Sequence, residues 1–268
     1  MSADAAPTAE GPADTAAGWR FVLATDLDGT FLGGAEADRL RLYRWIETHR
    51  DRVGLIFVTG RDPRFIEGLC TETPVPWPNY VVGDVGTTIA RMQPAGPGGR
   101  VSPIAAMEAD IAARWADAGP RVRAALDGMA GLTLQPTAFR YRVSYDYDPA
   151  SFDPRAIQVV ADLGLDHLIS ADCYFDVLPR GVSKGPSIRR LIAHLGVQPG
   201  RVLVAGDTMN DYSMLVEGFP AVAVGGSEAP LLARLPERDD IFRAPGLGAD
   251  GIMDAIAHFD LMAPPPKG

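Results

Sequence analysis

Apolar residues fall along this chain in two rhythms. In the first, several consecutive positions are apolar and the run stops abruptly at polar residues or glycine. Phe21-Val22-Leu23-Ala24-Thr25, Gly54-Leu55-Ile56-Phe57-Val58 and Asn79-Tyr80-Val81-Val82 follow it, and so do Arg201-Val202-Leu203-Val204-Ala205 and Ala221-Val222-Ala223-Val224. Such runs predict strands of a parallel sheet covered on both faces. Between them, apolar residues recur at helical spacing, as at Leu40, Tyr43, Ile46 and again at Ile188, Leu191, Ile192, Leu195. Asp62-Pro63 predicts a helix start, a cap followed by a first-turn proline. A last helix is expected from Asp250 to Phe259.

The second rhythm occupies the middle of the chain. Arg140 to Tyr147 alternates, with Tyr141, Val143, Tyr145 and Tyr147 on one face, as in a half-exposed antiparallel strand. Ile104, Ile111 and Trp115 predict a helix, as do Val122, Leu126 and Met129. Another opens at Asp153-Pro154 and carries Ile157 and Val160. Gln93 to Ser102, rich in Gly and Pro, reads as a loop. The fold class expected is therefore α/β: a Rossmann-like parallel-sheet core, residues 18–89 and 173–262, with an inserted α+β cap domain at 90–172. Residues 1–17 have no periodicity and read as a disordered tail, and 263–268 as a second tail.

Composition narrows the classes. The chain has 268 residues, 47% hydrophobic and 22% charged, which is ordinary for a globular protein. Two cysteines, Cys70 and Cys173, exclude a disulfide scaffold. No apolar run approaches the ~20 residues of a membrane span, and no basic segment leads into an apolar stretch at the start. A cytoplasmic protein is expected. The net charge is −9, and only three of those negatives belong to Asp4, Glu10 and Asp14 of the tail. An acidic body without a basic cluster argues against nucleic acid and against anionic membrane as partners. The oligomeric state stays open. The basic residues are 23 arginines and two lysines, Lys184 and Lys267. Lys184 is the one lysine outside the tails, which suggests a position that needs a compact ammonium.

Three of the buried runs end in residues fit for chemistry. The first ends in Asp26-Leu27-Asp28-Gly29-Thr30, the second in Thr59-Gly60, and a later one in Asp207-Thr208-Met209-Asn210-Asp211. Parallel sheets bind ligands at the carboxyl ends of their strands. Carboxylates gathered there repel one another unless a cation is present, and Mg²⁺ with oxygen ligands meets that need. Lys184, ahead of a predicted helix, can reach the same edge. Carboxylates, Mg²⁺, a lysine and a threonine suit phosphoryl transfer. One of Asp26 and Asp28 can attack phosphorus while the other moves protons. Each motif alone has a plainer reading as a turn, a strand end or a helix cap. Together, in this order, they serve one mechanism.

These four elements resemble the haloacid dehalogenase superfamily of phosphohydrolases, in Asp26-Leu27-Asp28-Gly29-Thr30, Val58-Thr59-Gly60-Arg61, Val182-Ser183-Lys184-Gly185 and Gly206-Asp207-Thr208-Met209-Asn210-Asp211. The resemblance implies that Asp26 is the nucleophile and Asp28 the general acid and base. It implies that Thr59 hydrogen-bonds the phosphoryl group and that Lys184 neutralises it. Asp207 and Asp211 would hold Mg²⁺ with Asp26 and the Asp28 main-chain carbonyl, and Asn210 would support that end. Val85-Gly86-Thr87, Arg142-Val143-Ser144-Tyr145 and Phe175-Asp176-Val177-Leu178-Pro179-Arg180 are similar to the sucrose-phosphatase-like branch, whose cap holds a sugar. Gly60, Arg140, Arg142, Tyr145 and Arg180 are the expected sugar contacts. The expected substrate is a sugar phosphate such as sucrose 6-phosphate.

Two other readings use the same residues. A phosphomutase shares the aspartyl-phosphate chemistry. A phospho-receiver switch also places Asp, Thr and Lys on a parallel sheet. Asp28 and the cap argue against the switch, which needs neither a leaving-group acid nor an enclosure. The four histidines, His49, His167, His194 and His258, sit apart from every motif, and no Gly-x-Ser-x-Gly elbow or Walker lysine motif occurs.

Overall fold

A strand buried at every position needs cover on both faces of its sheet. In the computed structural model, which describes residues 18–93, 101–137 and 139–265, β1 (Phe21–Thr25) is such a strand. It is followed by α1 (Glu36–Thr48), β2 (Val53–Val58), α2 (Pro63–Glu72), β3 (Tyr80–Gly83), β4 (Thr88–Met92), β5 (Val101–Pro103), α3 (Ala105–Trp115) and α4 (Gly119–Leu126). Next come β6 (Leu132–Leu134), β7 (Val143–Tyr147), α5 (Arg155–Asp162), β8 (Asp166–Ser170) and β9 (Tyr174–Leu178). The chain ends with α6 (Lys184–His194), β10 (Val202–Gly206), α7 (Tyr212–Leu215), β11 (Ala221–Gly225), α8 (Ala229–Arg234), β12 (Ile241–Leu247) and α9 (Ala249–His258). The expected tails at 1–17 and 266–268, and residues 94–100 of the expected loop, lie outside the described residues.

Among the described residues the strands form two sheets. The larger has the order β12-β11-β10-β1-β2-β3-β4-β5 and the smaller β6-β7-β9-β8. From β12 to β3 every pairing is parallel, while β4 and β5 close the edge antiparallel. Phe21 and Leu23 face α1, α2 and α9, whereas Val22 and Ala24 face α3, α6, α7 and α8. The small sheet is antiparallel throughout, and α4, α5 and Trp115 pack on one of its faces against Val143, Tyr145, Phe175 and Val177.

Strand membership divides the chain differently from the expected insert at 90–172. Strand β5 pairs with β4 in the large sheet, and β9 pairs with β7 and β8 in the small one. Sequence misplaces both for physical reasons. Strand β5 is short and mostly exposed, so it shows no apolar run, and Phe175–Leu178 is buried enough to pass for a core strand.

The core is packed around aromatic rings. Phe57 is fully buried and lies 5.1 Å from the Phe31 ring, which stacks on Tyr43 at 4.8 Å. Phe57→Ala should lower unfolding free energy by about 3–5 kcal/mol, the cost of an aromatic cavity in a close-packed interior. Urea denaturation measures it, and a loss below about 1 kcal/mol would mean that the site collapses without a cavity.

Candidate active site

The strand order brings the three polar strand ends together. Strand β1 lies between β10 and β2, and its register with each is in step. The chain runs outward from 1 to 3 on one side and from 10 to 12 on the other, so the direction of winding reverses beside β1. That reversal opens a crevice at the carboxyl ends of the strands. Asp26, Thr59 and Asp207 each follow directly on β1, β2 and β10 and converge there.

Two glycines permit the close approaches. Gly29 has φ +80°, and a Cβ there would lie 2.1 Å from Asp207 Oδ2. Thr30 completes the turn by donating its hydroxyl to Asp207 Oδ1 at 2.7 Å. Gly86 has φ +99°, and a Cβ there would strike the Ser183 carbonyl. The Val85-Gly86-Thr87 segment therefore packs against the peptide that presents Lys184. It belongs to the β3–β4 turn of the large sheet, not to the small one.

Lys184 is fully buried. Its ammonium donates to Asp26 Oδ1 at 2.7 Å, Asn210 Oδ1 at 2.7 Å and Asp211 Oδ1 at 2.6 Å. Three donors thus meet three acceptors, and a planar guanidinium would not fit that arrangement. Asp211 is also buried, and its Oδ2 accepts from the amides of Asp207 and Thr208 and from the Thr208 hydroxyl. Both of its oxygens are engaged in holding the loop and the lysine.

The cluster is short of positive charge. Burial, reinforced by Asp211 and Asp207, pushes the Asp26 carboxyl up to about 8 against the pull of Lys184. Burial likewise pushes Asp207 up to about 6, although the Thr30 hydroxyl favours its charged form. Asp26, Asp207 and Asp211 each offer an oxygen within 4.8 Å of the others. Hard oxygen donors with too little cationic charge between them could hold a divalent ion such as Mg²⁺.

Asp28 and Thr59 complete the group on the open side. Arg61 donates from Nε and Nη2 to the two oxygens of Asp28, at 2.8 and 3.0 Å. Thr59 is buried, and its hydroxyl oxygen accepts the Arg61 amide at 3.2 Å. Asp26, Asp28, Thr59 and Gly60 line a cavity of about 380 Å³ whose other wall is the small sheet. Register explains that wall. Ser144 pairs with Asp176 and Ser170 with Tyr174, so all four project from the face opposite the α4–α5 core.

The expected sugar contacts divide. Gly60 and Arg142 line this cavity. Tyr145 does not: it is buried on the opposite face, edge-on to Phe175. Residues 142 and 145 differ in parity along an extended segment, so their side chains cannot share a face. Arg140 lines a separate cavity of about 370 Å³ and pairs with Glu108. Arg180 is exposed on the turn after β9 and lies outside the lining of the 380 Å³ cavity. Of the expected metal ligands, the Asp28 carboxylate is taken by Arg61 and the Asn210 carbonyl by Lys184. Sequence reasoning missed Gln135, Ser170, Tyr174 and Asp176 as lining, and Arg61 as the partner of Asp28. Period-two alternation in β7 and its neighbours was the signal that could have found the first four.

The raised carboxyls give a pH signature. A carboxyl that holds its proton more tightly folded than unfolded stabilises the fold at low pH, and that share is lost as pH rises towards about 8 for Asp26. Metal-free protein should therefore lose thermal stability between pH 5 and pH 8 (about the span of the two shifted carboxyls). Asp26→Asn should flatten that slope. Equal slopes for parent and variant in thermal melts would overturn the assignment.

Known proteins resemble this chain over most of its length. The family model described as Sucrose-6F-phosphate phosphohydrolase matches residues 19–260. A glucosylglycerol-phosphate synthase of Pseudomonas anguilliseptica is 37% identical over 90% of this chain, which spans only 31% of that relative's length. A mannosylfructose-phosphate phosphatase of Agrobacterium fabrum is 27% identical over 90% of this chain and 97% of its own. The crystal structure of the sucrose-phosphatase of Synechocystis sp. PCC6803, in complex with sucrose and phosphate, superposes with a TM-score of 0.80. It is 24% identical and covers 90% of this chain and 98% of its own, so it shares the fold. No helix among the described residues is long and apolar enough to cross a membrane. The chain belongs to the Sucrose-6F-phosphate phosphohydrolase family.

Proposed function

We propose that this chain hydrolyses the phosphate monoester of a glycosyl polyol or disaccharide, sucrose 6-phosphate being the first candidate, in a Mg²⁺-dependent reaction. The observation that supports it most is the shared cavity. One wall carries Asp26, Asp28 and Thr59, and the other carries Gln135, Ser144 and Tyr174, whose amide and hydroxyl groups suit a polyol. The relatives are named for glucosylglycerol, mannosylfructose and sucrose phosphates, which share a hexosyl unit joined to a second hydroxylated unit. The small sheet with α4 and α5 is read as the cap that encloses the sugar and excludes water. A switch domain has no use for such an enclosure.

In this reading an Asp26 carboxylate oxygen attacks phosphorus, and the bond from phosphorus to the sugar oxygen breaks. Asp28 gives that oxygen a proton as it leaves. Water then attacks the same phosphorus and Asp28 takes its proton. The bond to Asp26 breaks and inorganic phosphate departs. The Thr59 hydroxyl donates to a phosphoryl oxygen. Lys184, already against Asp26, offsets the charge gathered there. Asp26, Asp207 and the Asp28 carbonyl would hold Mg²⁺, which when bound would supply positive charge against the carboxylate and phosphoryl groups. Asp211 and Asn210 keep Lys184 in place.

Phosphate release from a panel of sugar phosphates, with and without Mg²⁺, tests the proposal. The panel holds sucrose 6-phosphate, other disaccharide phosphates, glycosyl-glycerol and glycosyl-glycerate phosphates, hexose phosphates and an aryl phosphate. Release should be lost in EDTA and strongest on one glycosyl-polyol or disaccharide phosphate. Asp26→Asn should lower it by about a thousandfold or more, because the nucleophile is gone and the shape is kept. Lys184→Arg should lower it by about a hundredfold or more despite the retained charge. Release confined to hexose phosphates would keep the chemistry and discard the substrate class. A folded protein that releases phosphate from none of the panel would favour a mutase.

A further inference from the structure

Arg142 stands one residue before β7, at the cavity, yet both of its Nη groups are bonded to protein. It is buried at 7% exposure. Nη1 faces Asp176 of β9 at 3.3 Å, and Asp176 also accepts from Ser144. Nη2 donates to the Gly60 carbonyl at 3.1 Å and lies 3.8 Å from Asp84 Oδ1. The guanidinium plane rests on the Phe139 ring, 3.6 Å from its centroid. One end of the fork thus belongs to the small sheet and the other to the large one.

The large-sheet partners form a single unit. Asp84 and Val85 both have left-handed backbones, at φ +52° and +59°, an uncommon pair for residues other than glycine. That turn lets the Asp84 amide reach the Arg61 carbonyl at 3.0 Å and the Val85 amide reach the Thr59 carbonyl at 3.2 Å. The β3–β4 turn and the Thr59-Gly60-Arg61 loop are thereby zipped together. Arg142 touches both halves of the zip. Arg140, two residues earlier, donates to the Thr88 hydroxyl at 3.4 Å, and Thr88 donates to Asp84 Oδ2 at 2.7 Å. Two arginines therefore reach from the small-sheet side to the same turn.

We propose that Arg142 is a latch that holds the small sheet closed over the site and sets the Thr59-Gly60 loop in that closed state. It is a positioning residue and makes no contact with the sugar. A guanidinium suits the task because its two Nη groups point to different partners, whereas an ammonium concentrates its charge at one point. The contact is also reversible. Among the described residues Nε has no hydrogen-bond partner, nor has Asp84 Oδ1, so desolvation offsets much of what the ion pairs contribute. Charges satisfied this incompletely can part and return as substrate enters and product leaves. The link to turnover rests on the phosphatase reading; the link to closure does not.

Hydrogen exchange on the full chain without substrate separates the two. Parent, Arg142→Lys and Arg142→Met are compared at residues 59–61 and 142–144, with β1 as the control for an intact core. Both variants should exchange about tenfold or more faster at 59–61 and 142–144, while β1 keeps its protection. If β1 also loses protection in Arg142→Met, Arg142→Lys, which retains a buried cation, decides by the same comparison. Parent-like exchange in the variants together with a raised KM for the sugar phosphate overturns the latch and makes Arg142 a sugar ligand. If the parent hydrolyses none of the sugar phosphates, the functional reading falls and the exchange comparison still stands.

Discussion

A lysine ammonium with no exposure to water holds this site together. Lys184 at the start of α6 reaches Asp26 after β1 and both Asn210 and Asp211 after β10. Three segments far apart in sequence are fixed by one charge. The cation cannot leave without stranding two carboxylates in a low dielectric. Neither can it satisfy them all, since Asp26 and Asp207 remain pushed towards their protonated forms. The remaining deficit of positive charge suits the site to a divalent cation.

Geometry around that charge is set by backbone more than by side chains. Strand β1 lies between β2 and β10, so the nucleophile candidate is central and its helpers flank it. Gly29 brings Asp207 against the first turn, and Gly86 brings Lys184 against the third strand's turn. Asp211 ties its own loop through two amides and a hydroxyl. The candidate catalytic groups stand directly after buried strands, which fixes their orientation toward one another.

The large sheet was legible in the sequence because its strands are buried on both faces. An unbroken apolar run such as Leu55–Val58 has no competing reading once polar residues end it. Asp26, Thr59, Lys184 and Asp207 were legible for a related reason: each directly follows a buried run or opens a helix. The small-sheet wall was not. Its residues are polar by design of the cavity, so Ser144 and Asp176 look like any exposed positions. Tyr145 looked like a sugar platform, and only its parity against Phe175 and Val177 shows that it belongs to the core of that sheet. The Asp28–Arg61 and Arg142–Gly60 contacts depend on loop paths that no periodicity encodes.

Alternation along β7 and β9 has a consequence for how such a protein can diversify. Val143, Tyr145, Phe175 and Val177 carry the packing of the small sheet, while Ser144, Tyr174 and Asp176 face the cavity. Foldability and ligand choice are therefore written in alternate letters of the same short strands. Substitutions can accumulate on one register while the other stays fixed. A lineage can change what the cavity accepts without reopening the question of whether the small sheet folds.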